Sequence, residues 1–142
     1  VTGKAVRAYR APGFSVKYFN RWLFPVLAEQ GVEIDCSIFA ARRGHGGDVA
    51  FGLTEPGWLV MGETRLKEFP MNTVALAGQD WIFSGGGYFR LLPYALLHRL
   101  MRQSPYVMTY FHPRDFDPGQ PLVPGLSAVR RFKSYYGLKG CL

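Results

Sequence analysis

The stretch Tyr106–Phe111 constrains the fold more than any other part of the chain. Its six residues are rich in β-branched and aromatic side chains, which favour extended structure. Apolar residues fall on both faces, and this is typical of a parallel strand covered by helices. His112 follows this predicted strand and Pro113 ends it. Because residues at the carboxyl ends of such strands carry the chemistry of many α/β folds, His112 is a candidate site residue.

Length and composition exclude several classes of protein. The 142 residues suit one domain with its own core, and 48% hydrophobic content excludes a disordered chain. No apolar run reaches the length of a membrane span, so we predict no membrane segment. The net charge of +7 permits an anionic partner. The basic residues are scattered apart from Arg42–Arg43 and Arg130–Lys133, so we expect a solvated basic face and no nucleic-acid partner.

The first forty residues show the order strand, helix, strand, which is typical of a βαβ unit and predicts an α/β fold class. We predict a strand over Lys4–Tyr9 that ends at Arg10, and another over Val32–Ile34 that ends at Asp35. The intervening helix lies within Ser15–Gln30.

Apolar residues recur at helical spacing in this first helix, and we expect them to be buried. They are Phe19, Trp22, Leu23, Val26 and Leu27. Gly31 suits the position just after a helix end. Pro25 requires that the helix either begins near Asn20 or kinks.

Short strands and two further helices make up the rest of the predicted fold. Strands over Trp58–Met61, Leu66–Phe69 and Val74–Ala77 form an antiparallel insertion. One helix follows Pro93, and a last helix over Leu126–Tyr136 is capped by Gly137. The inward side chains are predicted to be Leu96, Leu97, Leu100 and Met101 in the first of these helices and Val129, Phe132 and Tyr136 in the second.

Arg10, Asp35 and His112 each end a predicted strand. Because the carboxyl ends of parallel strands share one edge, we expect these side chains to converge in an acid–base site. The alternative is that each one satisfies backbone groups at its own strand end. Cys36 and Cys141 fit no metal or redox spacing and are predicted to be free thiols.

Five segments carry recognisable motifs, and they are Arg10–Ser15, Ile34–Phe39, Ser84–Tyr94, Tyr110–His112 and Phe111–Asp115. The first, second and fourth resemble the third, fourth and fifth motifs of the polysaccharide deacetylases (NodB homology, carbohydrate esterase family 4). The other two resemble a subgroup of that family from bacterial exopolysaccharide loci. Together the segments extend over nearly the whole chain.

The resemblance implies a deformed (β/α) barrel of the NodB type, of which residues 1–142 are the C-terminal portion of a single domain. It implies metal-dependent hydrolysis of acetyl groups from N-acetylated sugars of a polysaccharide. In that chemistry a divalent metal, with zinc as first candidate, activates a water molecule. The family's metal-binding motifs precede the counterpart of Arg10 and are not matched here. We therefore expect no metal in this chain alone, little activity from it, and a missing N-terminal part of the same domain as its partner.

The resemblance also assigns catalytic roles. His112 is similar to the acid that protonates the leaving amine, and Arg10 to the residue that holds a base aspartate. Ile38 stands where the family has the aspartate that orients the imidazole. That task is open to Asp35 or to Asp115.

Further residues are implied to contact the substrate. Pro12 and Phe14 correspond to a pocket wall, Phe39 to an acetyl pocket, and Gly86, Tyr88 and Arg90 to glycan contacts. For Arg90 a surface salt bridge is the alternative. Glu68 receives no role, and His45 and His98 are predicted to face solvent.

The main alternative function is a non-catalytic glycan-binding or scaffolding domain in which the motifs persist without chemistry. An Asp–Asp pair and a paired-histidine motif upstream would favour the enzyme. A basic nucleic-acid-binding domain is a weaker alternative, because the basic residues are not clustered on one predicted element. The compartment is not fixed by the sequence, and the resemblance implies the bacterial cytoplasm or cell envelope.

Overall fold

The computed structural model describes residues 3–41, 46–76 and 78–141, and the chain divides into two compact units. The first unit is Val1–Ile82 and the second is Phe83–Leu142. Strands and helices are both present, and one sheet combines parallel with antiparallel pairs, so the α/β class is confirmed. Within the described residues the strands form an open sheet and a hairpin rather than a barrel.

The sheet of the first unit has the strand order β1-β2-β4-β3. Its strands are β1 (Ala8–Tyr9), β2 (Ile34–Asp35), β3 (Gly57–Met61) and β4 (Thr64–Glu68). β1, β2 and β4 are parallel, with Tyr9, Asp35 and Glu68 side by side in register. The carboxyl ends of these three strands therefore meet at one edge of the sheet.

The predicted antiparallel insertion is confirmed only in part. β3 pairs antiparallel with β4, as expected, but β4 also pairs parallel with β2 and so belongs to the main sheet. The separate hairpin consists of β5 (Thr73–Leu76) and β6 (Gln79–Ile82). Ala77, at the end of one predicted strand, lies outside the described residues.

The first helix, α1, spans Leu23–Glu29. Pro25 lies in its first turn, where the missing N–H costs nothing, so the helix starts late instead of kinking. Gly31 follows the helix at φ +80°, as its predicted capping position requires. Phe19 and Trp22 precede the helix and are 80% and 67% exposed, and Val26 within it is 43% exposed, so the prediction that these three are buried is wrong.

The core of the first unit lies between α1 and the sheet. Its buried residues are Ala11, Val16, Phe24, Leu27, Val32, Ile38 and Leu66. Phe24 is fully buried, although the helical spacing in the sequence did not predict a buried side chain at this position. α1 connects β1 to the parallel strand β2. The core between this helix and the sheet therefore holds the ends of the two strands in place.

The second unit contains α2 (Gly86–Leu91), α3 (Tyr94–Gln103) and α4 (Ala128–Tyr135). Leu97 of α3, Phe83 and Leu138 are all buried. The prediction that Leu96, Val129, Phe132 and Tyr136 point inward is wrong, since all four are exposed. The end of α4 is instead bound through its backbone carbonyls by Arg90, as described below. No helix in the described ranges is long and apolar enough to cross a bilayer.

Tyr106–Phe111 does not form the predicted buried strand. Its ladder pairing is one isolated parallel bridge between Tyr110 and Gly85, and Val107 and Thr109 are exposed. The apolar composition predicted a strand covered by helices. A single bridge, however, does not make six residues a strand of a sheet. His112 still ends the segment, where it precedes a short 3-10 turn over Pro113–Phe116.

Candidate functional site

His112 lies in a cluster of polar side chains in the second unit. Its Nε2 is 3.0 Å from the hydroxyl of Tyr110, and its Nδ1 is 3.8 Å from Oδ2 of Asp115. The His112 side chain is 54% exposed, whereas that of Asp115 is 7% exposed. The imidazole therefore opens to solvent, and a buried carboxylate lies beside one of its nitrogens.

The local chain explains why these two groups meet. The backbone N–H of His112 donates to Oδ2 of Asp115 at 2.9 Å, and the N–H of Asp115 donates to the carbonyl of His112 at 2.9 Å. Pro113 supplies the fixed φ that suits the first position of the turn between them. Of the two aspartates considered for orienting the imidazole, Asp115 has a contact with it.

Arg90 lies behind Asp115, with 5% of its side chain exposed. Its Nη2 is 3.4 Å from Oδ1 of Asp115. The same guanidinium donates to the carbonyls of Lys133, Ser134 and Tyr136 at 3.0, 3.2 and 2.9 Å. The alternative of a surface salt bridge is wrong, because this ion pair is buried. The predicted glycan contact of Arg90 stays a prediction.

Gly86 leaves the space that Asp115 occupies. A Cβ at Gly86 would lie 2.5 Å from Oδ2 of Asp115, whereas one at Gly87 would meet nothing within 4 Å. The N–H of Gly86 also donates to the carbonyl of Tyr110 at 3.0 Å. Gly86 is therefore needed for the packing of Asp115 in the His112 cluster. Its predicted contact with glycan is a separate role and stays a prediction.

We expect Gly86→Ala and Gly87→Ala to have opposite effects on the stability of the second unit. The methyl group at position 86 must displace Asp115, which costs about 1–3 kcal/mol. Alanine at position 87 enters open space in a helix and is expected to stabilise it by up to about 1 kcal/mol. Thermal unfolding followed by near-ultraviolet circular dichroism of the tyrosines measures both. Equal shifts in Tm for the two variants would contradict the packing role of Gly86.

Two cavities adjoin this cluster. A cleft of about 370 Å³ is lined by His112, Asp115, Arg114 and Lys133, among others. A pocket of about 300 Å³ lies next to it, between α2 and α4, and includes the predicted contact residue Tyr88.

The sheet edge of the first unit carries a buried carboxyl pair. Asp35 and Glu68 are adjacent in register and fully buried. The N–H and hydroxyl of Ser37 donate to Asp35 at 2.9 and 2.8 Å. The N–H of Ile38 donates to Glu68 at 3.1 Å. Each carboxyl thus receives donors from the loop that follows β2.

Burial raises the pKa of Glu68 to about 9, and its hydrogen bond to Asp35 and the charge of Asp35 act in the same direction. The Ile38 N–H and Arg10 oppose this shift without offsetting it. Glu68 is therefore protonated at neutral pH. Among the described residues its Oε1 accepts the Ile38 N–H, whereas its Oε2 has no hydrogen-bond partner.

Sequence reasoning gave Glu68 no role, although a signal was present. Side chains alternate along a strand, so Leu66 and Glu68 share one face of β4. Because Leu66 is apolar and fully buried, the same face carries Glu68 into the core.

Arg10 follows β1 at the same edge as Asp35, as predicted. Its Nε donates to the carbonyl of Cys36 at 3.1 Å, and its guanidinium lies 5.5 Å from the ring centroid of Phe14. His112 belongs to the other unit, so the convergence of Arg10 and Asp35 with His112 stays a prediction.

Phe14 and Phe39 are brought together, with their rings edge to face and 5.5 Å between centroids. Both are buried, whereas Pro12 is exposed. Gly47 covers Phe39 so closely that a Cβ there would lie 2.1 Å from its ring. Phe14 has φ +53°, a strained conformation for a bulky residue. The proposed acetyl pocket is therefore a covered aromatic pair in this structure.

The described residues do not fit the divalent metal that the resemblance implies. Within residues 3–41, 46–76 and 78–141, no three His, Cys, Asp or Glu side chains gather as a metal ion requires. His45 lies outside the described residues, and His98 is exposed as predicted. Cys36 and Cys141 are free thiols, as predicted, and burial raises the pKa of both.

The charge is divided unevenly between the two units. Phe83–Leu142 holds eight of the 17 Lys and Arg residues but two of the ten Asp and Glu residues. Most of the net positive charge therefore belongs to the unit that carries His112.

Comparison with known proteins adds one match. A family model described as "Domain of unknown function (DUF3473)" matches residues 36–142. No curated protein and no solved structure matches the chain. The matched region includes Asp35's neighbour Cys36, Glu68 and the whole His112 cluster.

Proposed function

The chain belongs to the DUF3473 family, a domain of unknown function, and we propose that it is the C-terminal portion of a polysaccharide deacetylase domain. The fold to which it contributes is a deformed (β/α) barrel. The reaction is hydrolysis of acetyl groups from N-acetylated sugars of a bacterial exopolysaccharide. The five ordered motif segments support this proposal. The single observation that carries it is an exposed imidazole, His112, backed by the buried carboxylate of Asp115 at the edge of a cleft.

His112 is the proton donor in this proposal. The C–N bond of an amide breaks readily only when the leaving nitrogen gains a proton, and imidazole is suited to donate one near neutral pH. We place the transferred proton on Nε2, because Nδ1 faces Asp115. Tyr110, whose hydroxyl is 3.0 Å from Nε2, either orients this nitrogen or relays its proton.

Asp115 and Arg90 are positioning residues for His112. The carboxylate lies on the Nδ1 side of the ring and compensates the charge of the imidazolium before the proton is donated. Arg90 holds the carboxylate in place from the buried side. Neither group needs to touch the sugar.

Arg10 and Asp35 enter the proposal differently. Arg10 is the candidate to hold the base aspartate, as its motif implies. Asp35 is fully buried and bound to Ser37 and Glu68, so its part is to fix the sheet edge beside Arg10.

Acetate release by the full-length protein that contains residues 1–142 tests the proposal. We expect one acetate and one free amine per sugar from an N-acetylated oligosaccharide, with a divalent metal such as Zn²⁺ added. The de-N-acetylated oligosaccharide is the matched control and should yield no acetate. A protein that binds the N-acetylated oligosaccharide but releases no acetate with any added divalent metal would instead support a non-catalytic glycan-binding domain.

A further inference from the structure

The pocket between α2 and α4 has an aromatic wall. Tyr88 comes from α2, and Phe132 and Tyr136 come from α4 and the residue after it. The rings of Phe132 and Tyr136 lie 4.7 Å apart at 34°, and both side chains are about half exposed. Exposed aromatic faces that line a concavity offer apolar contact to the C–H face of a sugar ring.

The walls of this pocket are fixed before any ligand arrives. Arg90, on α2, binds three carbonyls at the end of α4. Gly137 packs so closely on α2 that a Cβ there would lie 2.5 Å from the carbonyl oxygen of Arg90. A preformed pocket costs a ligand less ordering entropy than a flexible one.

The pocket adjoins the His112 cleft, and the two share part of their lining. Gly87, Arg90 and Lys133 line both cavities. A polysaccharide with one sugar at His112 therefore has a path for its next sugar along the pocket.

Positive charge surrounds this path. Lys133 lines both cavities and Arg114 lines the cleft. Within the described part of the chain, Asp115 is the one acidic residue that lines the cleft or the pocket, and it is already paired with Arg90. An anionic sugar gains electrostatic attraction here that a neutral sugar does not.

We propose that this pocket is a subsite for a sugar ring that bears a carboxylate, so that the polysaccharide acted on at His112 is acidic. The inference rests on the proposed function and adds the class of substrate. Tyr88 and Phe132 supply apolar faces, and Lys133 supplies the charge.

Binding of two oligosaccharides of equal length to the full-length protein tests the inference. One is chitohexaose, which is neutral, and the other is a hyaluronan hexasaccharide, in which hexuronate alternates with N-acetylhexosamine. We expect isothermal titration calorimetry to show about tenfold tighter binding of the acidic probe, and this preference should shrink as salt is added.

Paired variants separate the electrostatic contribution of Lys133 from the apolar contribution of Phe132. Lys133→Ala should reduce the preference for the acidic probe about threefold, whereas Lys139→Ala, at an exposed lysine outside both cavities, should not. Phe132→Ala should weaken both probes about three- to tenfold. Tyr94→Ala, at an exposed aromatic of α3, should leave both affinities unchanged.

Equal affinity for both probes would overturn the acidic substrate, and full affinity in Phe132→Ala would overturn the pocket. Tighter binding of a single-stranded oligonucleotide of matched charge would overturn the inference in favour of nucleic acid. Acetate release from chitohexaose is measured in parallel. If it proceeds without any preference for the acidic probe, this inference fails and the proposed function stands. If no acetate appears from either probe, the proposed function fails, whatever the binding shows.

Discussion

Replacing His112 by alanine is expected to lower kcat for acetate release about 10²- to 10⁴-fold, with little change in KM. In the proposed reaction the imidazole protonates the leaving nitrogen, and alanine would leave water as the only donor at that position. The fold should survive, because the side chain is more than half exposed and its backbone bonds to Asp115 do not depend on the ring. Initial rates of acetate release by the full-length protein measure the effect.

His98→Ala is the matched control. His98 is an exposed histidine on α3 that lines neither the His112 cleft nor the pocket beside it, so its loss should change kcat less than twofold or so. An His112→Ala enzyme that keeps more than about a tenth of the wild-type kcat would remove His112 from the chemistry.

The second large effect concerns the pH dependence of stability in the first unit. Glu68 keeps its proton in the folded protein up to about pH 9, whereas an ordinary glutamate ionises near 4.5. Between these values the unfolded state binds fewer protons than the folded state. The free energy of unfolding therefore falls as pH rises, by up to about 1.4 kcal/mol per pH unit. This contribution is fully present below pH 4.5 and is lost once the pH passes about 9.

Glu68→Gln should remove most of this slope. The amide can donate to Asp35 and accept from the Ile38 N–H, and it has no proton to lose. We expect the variant to be more stable than the wild type at pH 9 and closer to it at pH 5. Glu55→Gln, at an exposed glutamate, is the control and should keep the wild-type slope.

Denaturant titrations at pH 5, 7 and 9 measure these slopes. Trp22, Trp58 and Trp81 are all the tryptophans of the chain and all lie in the first unit, so their fluorescence reports on that unit alone. If Glu68→Gln and the wild type lose stability equally between pH 5 and 9, the raised pKa of Glu68 is refuted.

Local spacing predicted those elements whose determinants are close in sequence. Gly31 and Gly137 cap helices as predicted, each at positive φ, and Trp58–Met61 is a strand. Periodicity failed where it was extended beyond the real helix. Phe19 and Trp22 fit a helix from Ser15 but lie outside the one that starts at Leu23.

In the candidate site, too, contacts between residues close in the pattern were predicted and contacts between distant residues were not. The strand-end rule placed Arg10 and Asp35 at one edge, because parallel pairing is implied by the βαβ pattern. It could not show that Tyr106–Phe111 lacks a partner strand over most of its length. It also could not show the contacts of Arg90 with α4, which join groups 43–46 residues apart.

Arg90 binds two parts of the second unit at once, and this has a consequence for His112. One guanidinium holds the end of α4 and also faces the carboxylate beside His112. We therefore expect a displacement of the end of α4 to move Arg90 and, with it, the Asp115 carboxylate that lies beside the imidazole. If a sugar binds in the pocket beside α4, as proposed, we expect its binding to be coupled to the position of the His112 ring, and such coupling is reciprocal. In the proposed enzyme a sugar bound against α4 would favour the proton-donating position of His112, and that position would favour sugar binding by the same factor.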